Sequence, residues 1–495
     1  MVTLLVLAWQ VANWYGAREW QKVVVELEKE GETLDVAKVG MAPVAEERNF
    51  CAIPALKDLA LDGDEEAEKR RSRLNEMALP SSDKALLDRP TLASGLRSGQ
   101  AVEMKAWASW LAAIQAEGAL NQEGAGDAAR EVLARLANHE ALYRELAVGL
   151  DREEAQWTPT WSNRAAPEFF FALRVPHYTV VQKTVNALAL RSIAATHAGE
   201  REMAHTSLQV MLRLNRACRD EGLLIGTLVG ATGDNFAWNA VWELSRARCG
   251  TMEDFRKLET ELARADYRLG LLRSLQAEMA GGASSIRWLK RRGGLDGKMK
   301  GMNGAGGDGL WPGLSPKLLP DAWYDLNAVK LVRTEMDYLV RPLRDEGLKE
   351  TCEKSAGLEK RVKEMKASMN PFDNLATLAV PAFIRIVERC LYTQVMMDQA
   401  LIACVLERFR LENEGRYPES LAELTRLDGR ALPVDLMSEK AMGYALDGKG
   451  RYRLWSVGWD GIDDGGKRVV NEQEPMRTKF SERNYVGDWV WDFAP

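Results

Sequence analysis

Apolar positions in this chain recur mainly at helical spacing. Val181, Val185, Leu188, Ser192 and Ala195 fall at i, i+4, i+7, i+11 and i+14, Gly199 interrupts the run, and Leu208, Met211, Leu212 and Asn215 resume it. Two such stripes joined at a glycine predict an antiparallel helix pair. The same period predicts helices over 102–117, 128–150, 223–246, 251–268, 269–279, 321–345 and 348–368, with Pro342 kinking or ending the sixth of these. At the start, residues 2–15 are apolar except for Thr3, Gln10 and Asn13, and a charged helix follows with Trp20, Val23, Val24 and Leu27 on one side. Residues 64–78 are dense in Glu, Lys and Arg and predict an exposed helix.

Breakers divide these helices into regions. A proline-containing aromatic stretch, with Trp157, Trp161 and Phe169 among its residues, predicts a packed connector ahead of the hairpin. Nine glycines between 293 and 313 predict a flexible loop. Asn370-Pro371 marks a boundary before the last segment. The expected organisation is a membrane anchor at 1–20, a helical region at 21–156 and a helical bundle at 157–292. The glycine-rich loop at 293–313 leads to a helical connector at 314–370 and a smaller α+β module at 371–495. The hairpin resembles a tetratricopeptide-type unit, although no 34-residue period extends over the rest of the chain. The fold class expected is therefore mainly α: a helical bundle or irregular TPR-like region followed by a small α+β domain.

The last segment carries the most specific pattern. A long helix is predicted from Pro381 to about Asn413, with Ile384, Val387, Leu391, Val395, Ile402, Leu406 and Phe409 as its stripe and Gly415 as its end. Arg416-Tyr417-Pro418 and Leu432-Pro433-Val434-Asp435 follow. Alternating segments at 441–446 and 450–457 joined by Asp447-Gly448 predict a hairpin. Then come Ser456-Val457-Gly458-Trp459-Asp460-Gly461, Gly465-Gly466, and Asp488 ahead of a final strand. In this order the set resembles the globular head of the major pseudopilins of type II secretion, over roughly 381–495. The resemblance implies a calcium site in the last loop. Carried over residue by residue, its ligands would be Ser456, Asp460, Asp488 and the carbonyl of Leu454. An Asp-rich loop punctuated by glycine suits a hard cation that takes several oxygens. The loop from Lys467 to Val486 is longer than the family's. The helix here is internal and carries Arg385, Glu388, Arg389 and Asp398, so assembly into a pilus is not expected.

Composition narrows the function. With 46% hydrophobic and 28% charged residues the chain is globular rather than disordered. A net charge of −6 argues against a nucleic-acid partner. Four histidines leave few groups for proton transfer near neutral pH. The six cysteines form no C-x-x-C pair, so neither a zinc site nor a disulfide framework is expected. His197, Glu200, Glu202 and His205 cluster at a helical turn and read more readily as a solvated tip than as a metal site. The glycines and Lys298 lack phosphate-loop spacing, and the basic run around Arg287 to Lys300 reads as a solvated helix end.

Trp9, Trp14 and Tyr15, with Arg18 just behind, suit a membrane interface, although fifteen residues are short of a bilayer span. They are expected to be the outer half of a transmembrane anchor. The expected protein is a non-catalytic cell-envelope protein anchored in the inner membrane with its bulk outside the cytoplasm. Its helical region would contact other envelope proteins. The alternative expectation is a hydrolase-like enzyme with its site in a cleft of the helical region, marked by convergent ionisable groups.

Overall fold

The computed structural model of the chain describes residues 2–39, 42–79, 89–92, 99–114, 127–158, 170–292, 319–367, 381–468, 483 and 485–493. It is mainly helical. In chain order the helices are α1 (Val2–Lys29), α2 (Val36–Val39), α3 (Glu65–Asn75), α4 (Met104–Ile114), α5 (Ala128–Leu136), α6 (Glu140–Val148), α7 (Pro176–Ala198) and α8 (Arg201–Arg219). They continue as α9 (Leu224–Ala247), α10 (Met252–Leu262), α11 (Tyr267–Arg292), α12 (Asp321–Glu335), α13 (Arg341–Asp345), α14 (Leu348–Ala367) and α15 (Pro381–Glu412). Strands β1 (Val434–Asp435) and β2 (Lys440–Ala441) form a two-stranded antiparallel ribbon. Strands β3 (Gly443–Leu446), β4 (Tyr452–Ser456) and β5 (Trp489–Trp491) form an antiparallel sheet with β4 in the centre. The glycine-rich loop and most of the 157–177 connector lie outside the described residues.

The hairpin expected around Gly199 is present. Pro176 opens α7 at a position that has no use for an N–H, and Gly199 closes it at φ 77°, where its N–H reaches Thr196 O. Helices α7, α8 and α9 each pack against the other two. The approach of α9 to α8 depends on Gly226, Gly230 and Gly233, spaced four and three residues apart on one face. A Cβ at Gly226 would lie 2.5 Å from Cys218 O, and one at Gly233 would lie 1.9 Å from Asn215 Oδ1. The interface seals a polar knot: Asp234 accepts from Tyr267 Oη at 2.6 Å and from Asn215 Nδ2 at 2.9 Å, with Arg219 at 3.8 Å. All four residues are buried; Asp234 takes its hydrogen bonds from Tyr267 and Asn215, while Arg219 donates to Asp220 and to Arg264 O.

Several boundaries differ from the sequence expectation. The single helix expected at 128–150 is broken by a tighter 3-10 turn at Ala137–His139. The helices expected at 251–268 and 269–279 are divided differently, because Asp266 Oδ1 accepts from Leu269 N and starts α11 at Tyr267. Pro342 is preceded by a π turn, Met336–Val340, the local remedy for a residue that can donate no helical hydrogen bond. The hairpin connection is longer than the Asp447-Gly448 pair. It spans Asp447 to Arg451, closed by Asp447 N to Arg451 O at 3.0 Å, with Asp447 Oδ1 holding the amides of Lys449 and Arg451.

Helix α15 is not free-standing. It packs against α9, α10 and α14, and Val395, Ile402 and Leu406 are buried in the same continuous core as the hairpin. The sheet is tied to the helices by polar contacts as well. Trp242 Nε1 donates to Asp492 O at 2.7 Å, Gln399 Nε2 to Trp489 O at 2.8 Å, and Arg451 to Ser245 O and Arg246 O at 3.1 and 2.7 Å. The last segment and the helical bundle therefore share one interior.

Helix α1 joins the body from about Asn13 onward. It runs beside α12 in the same direction, as shown by Asn13 Oδ1 accepting from Ala322 N, Glu26 pairing with Arg333 and Glu30 with Arg341. A Cβ at Gly16 would sit 2.8 Å from Ala322 Cα, so this is where the two backbones touch.

Candidate functional site

Two places carry the residues expected to matter: the acidic loop between β4 and β5, and the free half of α1. The loop is built on glycine. Gly458 has φ 67°, and a Cβ there would lie 2.4 Å from Gly487 O, so only glycine lets the two segments approach. Asp460 then bridges them: its Oδ2 accepts from Gly487 N at 2.8 Å and its Oδ1 from Ile462 N at 3.0 Å. Asp488 bridges in the opposite direction, with Oδ2 accepting from Gly466 N at 2.8 Å and Lys467 N at 3.3 Å, and Oδ1 from Asp464 N at 3.4 Å. Asp463 Oδ1 holds Trp455 Nε1 at 2.9 Å and Gly465 N at 3.0 Å. Trp459 and Trp489 meet edge to face across the junction, 5.3 Å apart. Burial pushes the Asp488 carboxyl up from its ordinary range; the Gly466, Asp464 and Lys467 amides oppose that, and Asp463 adds to it.

The four residues expected as calcium ligands do not form a cage. Ser456 is buried and gives its hydroxyl to Asp435 Oδ1 at 2.6 Å. Leu454 lies in the central strand, opposite Tyr444 on one side and Trp491 on the other, and is fully buried. Asp460 and Asp488 are near each other, but both oxygens of each are aimed at N–H groups. Among the described residues no group of three or more His, Cys, Asp or Glu side chains could hold a metal ion.

Asp435 is the residue whose role the sequence did not disclose. It is buried and takes Ser456 Oγ at 2.6 Å, Ser438 Oγ at 2.9 Å, Met437 N at 3.1 Å and Val457 N at 3.2 Å. One carboxylate thus pins the β1–β2 ribbon to the end of β4. Its only sequence signal was its place after Leu432-Pro433, which the ribbon turns into a structural lock.

Compared with protein-family models, curated proteins and solved structures, the chain matches no family model, no curated protein and no solved structure.

The free half of α1 is the other unusual surface. Leu4, Val11 and Trp14 are 71%, 62% and 61% exposed, and Val6, Leu7, Trp9 and Tyr15 are exposed as well. At about 100° per residue Leu4, Leu7, Val11, Trp14 and Tyr15 fall on one side of the helix, Val6 and Trp9 lie away from it, and Thr3, Gln10 and Asn13 share another side. Arg18 lies over the Trp14 ring at 5.4 Å, where the apolar stretch gives way to charge. Among the described residues no helix is long and apolar enough to cross a membrane.

The weaker chemical signals resolve into packing. His197 pairs with Glu243 at 3.1 Å while His205 meets Cys249 O at 2.8 Å, so the histidines at the hairpin tip turn to different partners. His177 is buried against Trp157 and bonds Glu221 at 2.9 Å, which also accepts from Tyr178 at 2.6 Å. Lys290, from the basic run, pairs with Asp325 at 2.7 Å. Open grooves among the described residues include two of note. One of about 520 Å³ lies between Leu421, Leu432, Val434 and Tyr444, and one of about 720 Å³ lies between Tyr15, Lys330, Arg333 and Arg361. The acids pushed furthest up by burial are elsewhere: Glu278 and Asp398, both to about 7, and Glu335 well above its ordinary range. None of the three lines either groove.

Proposed function

We propose that this is a non-catalytic, membrane-attached protein of the bacterial cell envelope. In this reading α1 enters lipid, the helical bundle is a rigid body for contacts with other envelope proteins, and the last segment is a pseudopilin-like head. The observation that carries the reading is the first half of α1, where Leu4, Leu7, Val11, Trp14 and Tyr15 form one exposed apolar side. A helix with one apolar side and aromatic residues on it can lie in the plane of a membrane interface with that side in lipid. Trp9, Trp14 and Tyr15, followed by Arg18, give the aromatic-then-basic order that suits an interface. The head reading is supported by a long helix leading into a β3–β4–β5 sheet whose acidic loop precedes the final strand. A cleft enzyme would need convergent ionisable groups with displaced pKa values facing solvent; the groove beside Tyr15 gathers Glu19, Lys330, Arg333, Asp337, Arg361 and Glu364. The displaced acids lie away from the grooves, so catalysis is not the reading proposed.

The test is flotation of the full chain with phospholipid vesicles on a density gradient. A variant carrying Leu4→Ser, Leu7→Ser, Val11→Ser and Trp14→Ser is the control, since these side chains are exposed and their loss leaves the core intact. The native chain is expected to float and the variant to stay at the bottom. A native chain that stays at the bottom, or a variant that floats equally well, sinks the proposal.

A further inference from the structure

We infer that the acidic loop of the last segment is a metal-free clasp, closed by backbone amides and an indole where the pseudopilin resemblance implies calcium. This goes beyond the proposed function and does not depend on it. A cation in such a loop neutralises clustered carboxylates and draws distant segments together. Here the same two tasks are performed by N–H groups. Asp460 reaches forward to Gly487 N, and Asp488 reaches back to Gly466 N and Lys467 N, so each carboxylate crosses from one segment to the other. Asp463 adds Trp455 Nε1 and Gly465 N. Ser456, the motif's hydroxyl, is turned inward to Asp435.

Two further observations agree with this. Gly458 brings backbone close to backbone, since a Cβ there would meet Gly487 O at 2.4 Å, and Gly466 lies against side chains, where a Cβ would meet Arg453 at 2.4 Å and the Trp455 ring at 2.8 Å. Charge is also dealt with nearby, because Asp492 pairs with Arg468 at 2.7 Å beside the same strand. A carboxylate that accepts two or three N–H bonds is stabilised in place, and here each such bond joins chain segments more than twenty residues apart or closes a turn between them.

The experiment is thermal unfolding of the full chain in millimolar calcium and in chelator, repeated with Asp460→Asn and Asp488→Asn. Asn keeps the shape but loses one acceptor oxygen and the charge. The native chain is expected to melt at the same midpoint with and without calcium. Both variants are expected to melt lower than the native chain, by the same shift in either buffer. A calcium-dependent rise in the native midpoint that Asp460→Asn or Asp488→Asn abolishes would overturn the inference, because binding to the folded state alone must raise the midpoint. A rise that persists undiminished in both variants would place the ion elsewhere and leave the clasp standing. If either variant does not fold, terbium luminescence on the native chain decides: emission sensitised by Trp455, Trp459 or Trp489 and displaced by calcium would overturn the inference.

Discussion

Adding one methyl group at two different helical glycines should shift stability in opposite directions. Gly226 sits in the first turn of α9 and Gly357 in the middle of α14. An ideal Cβ at Gly226 would lie 2.5 Å from Cys218 O and 2.5 Å from Tyr178 Oη; at Gly357 the nearest atom is Tyr338 Cε1 at 3.8 Å. Ordinary contact between carbon and oxygen needs well over 3 Å, and Cys218 O belongs to the backbone of α8. Gly226→Ala must therefore push α8 and α9 apart, which costs about 1–3 kcal/mol. Its gain in helix propensity is at most ~1 kcal/mol and smaller in a first turn. A net loss of about 2 kcal/mol corresponds to roughly 30-fold faster amide exchange from the unit that opens. Gly357→Ala meets no obstruction, so it should gain up to ~1 kcal/mol from propensity alone. Hydrogen exchange followed by mass spectrometry on peptides from α8, α9 and α14 reads both. Slower exchange in α8 and α9 on Gly226→Ala, or faster exchange in α14 on Gly357→Ala, would refute the close-packing argument.

Two further outcomes follow from buried carboxylates. Glu278 is pushed from 4.5 to about 7 by burial, an effect that the Leu224 amide only partly offsets; burial also pushes Glu335 up, with Glu278 adding to the effect. Because their folded values lie above the unfolded ones, the stability they favour is complete below about pH 4.5 and is lost as pH rises toward and past 7. For Glu278 alone this amounts to about 3 kcal/mol. Urea midpoints should thus fall between pH 5 and pH 8, and Glu278→Gln should flatten that slope; a slope unchanged in the variant would count against the assignment. Asp435→Ala should leave Ser438 Oγ, Ser456 Oγ and two amides without their shared acceptor, at a cost of about 2–4 kcal/mol. Its mark should be early exposure of Trp455 in tryptophan fluorescence while far-ultraviolet helix signal persists; simultaneous loss of both would argue against a lock confined to the sheet.

Local chemistry decided much of this protein. The stripes flanking Gly199 were enough to give the hairpin but not its depth, because Ala187 to Thr196 of α7 are buried on every side. Pro381 and Gly415 bracket α15 through a fixed φ at one end and a left-handed turn at the other. Asp447-Gly448 announced the hairpin, though the Asx geometry of Asp447 lengthened its loop to Arg451. What periodicity could not show was which faces meet. Gly226, Gly230 and Gly233 look like weak points in a helix until α8 lies against them, and Asp234 looks like a surface acid until Tyr267, Asn215 and Arg219 surround it. The same holds for the last segment. Ser456, Asp460 and Asp488 have the composition of a cation loop, but what a carboxylate binds depends on which donors the fold brings near. Here the turns at Gly458 and Gly466 bring backbone amides, and Gly487 for Asp460, like Asp464, Gly466 and Lys467 for Asp488, lies more than twenty residues away in sequence. Only tertiary structure sets those distances, because they depend on how β5 returns beside β4 over a core that α15 shares with the bundle.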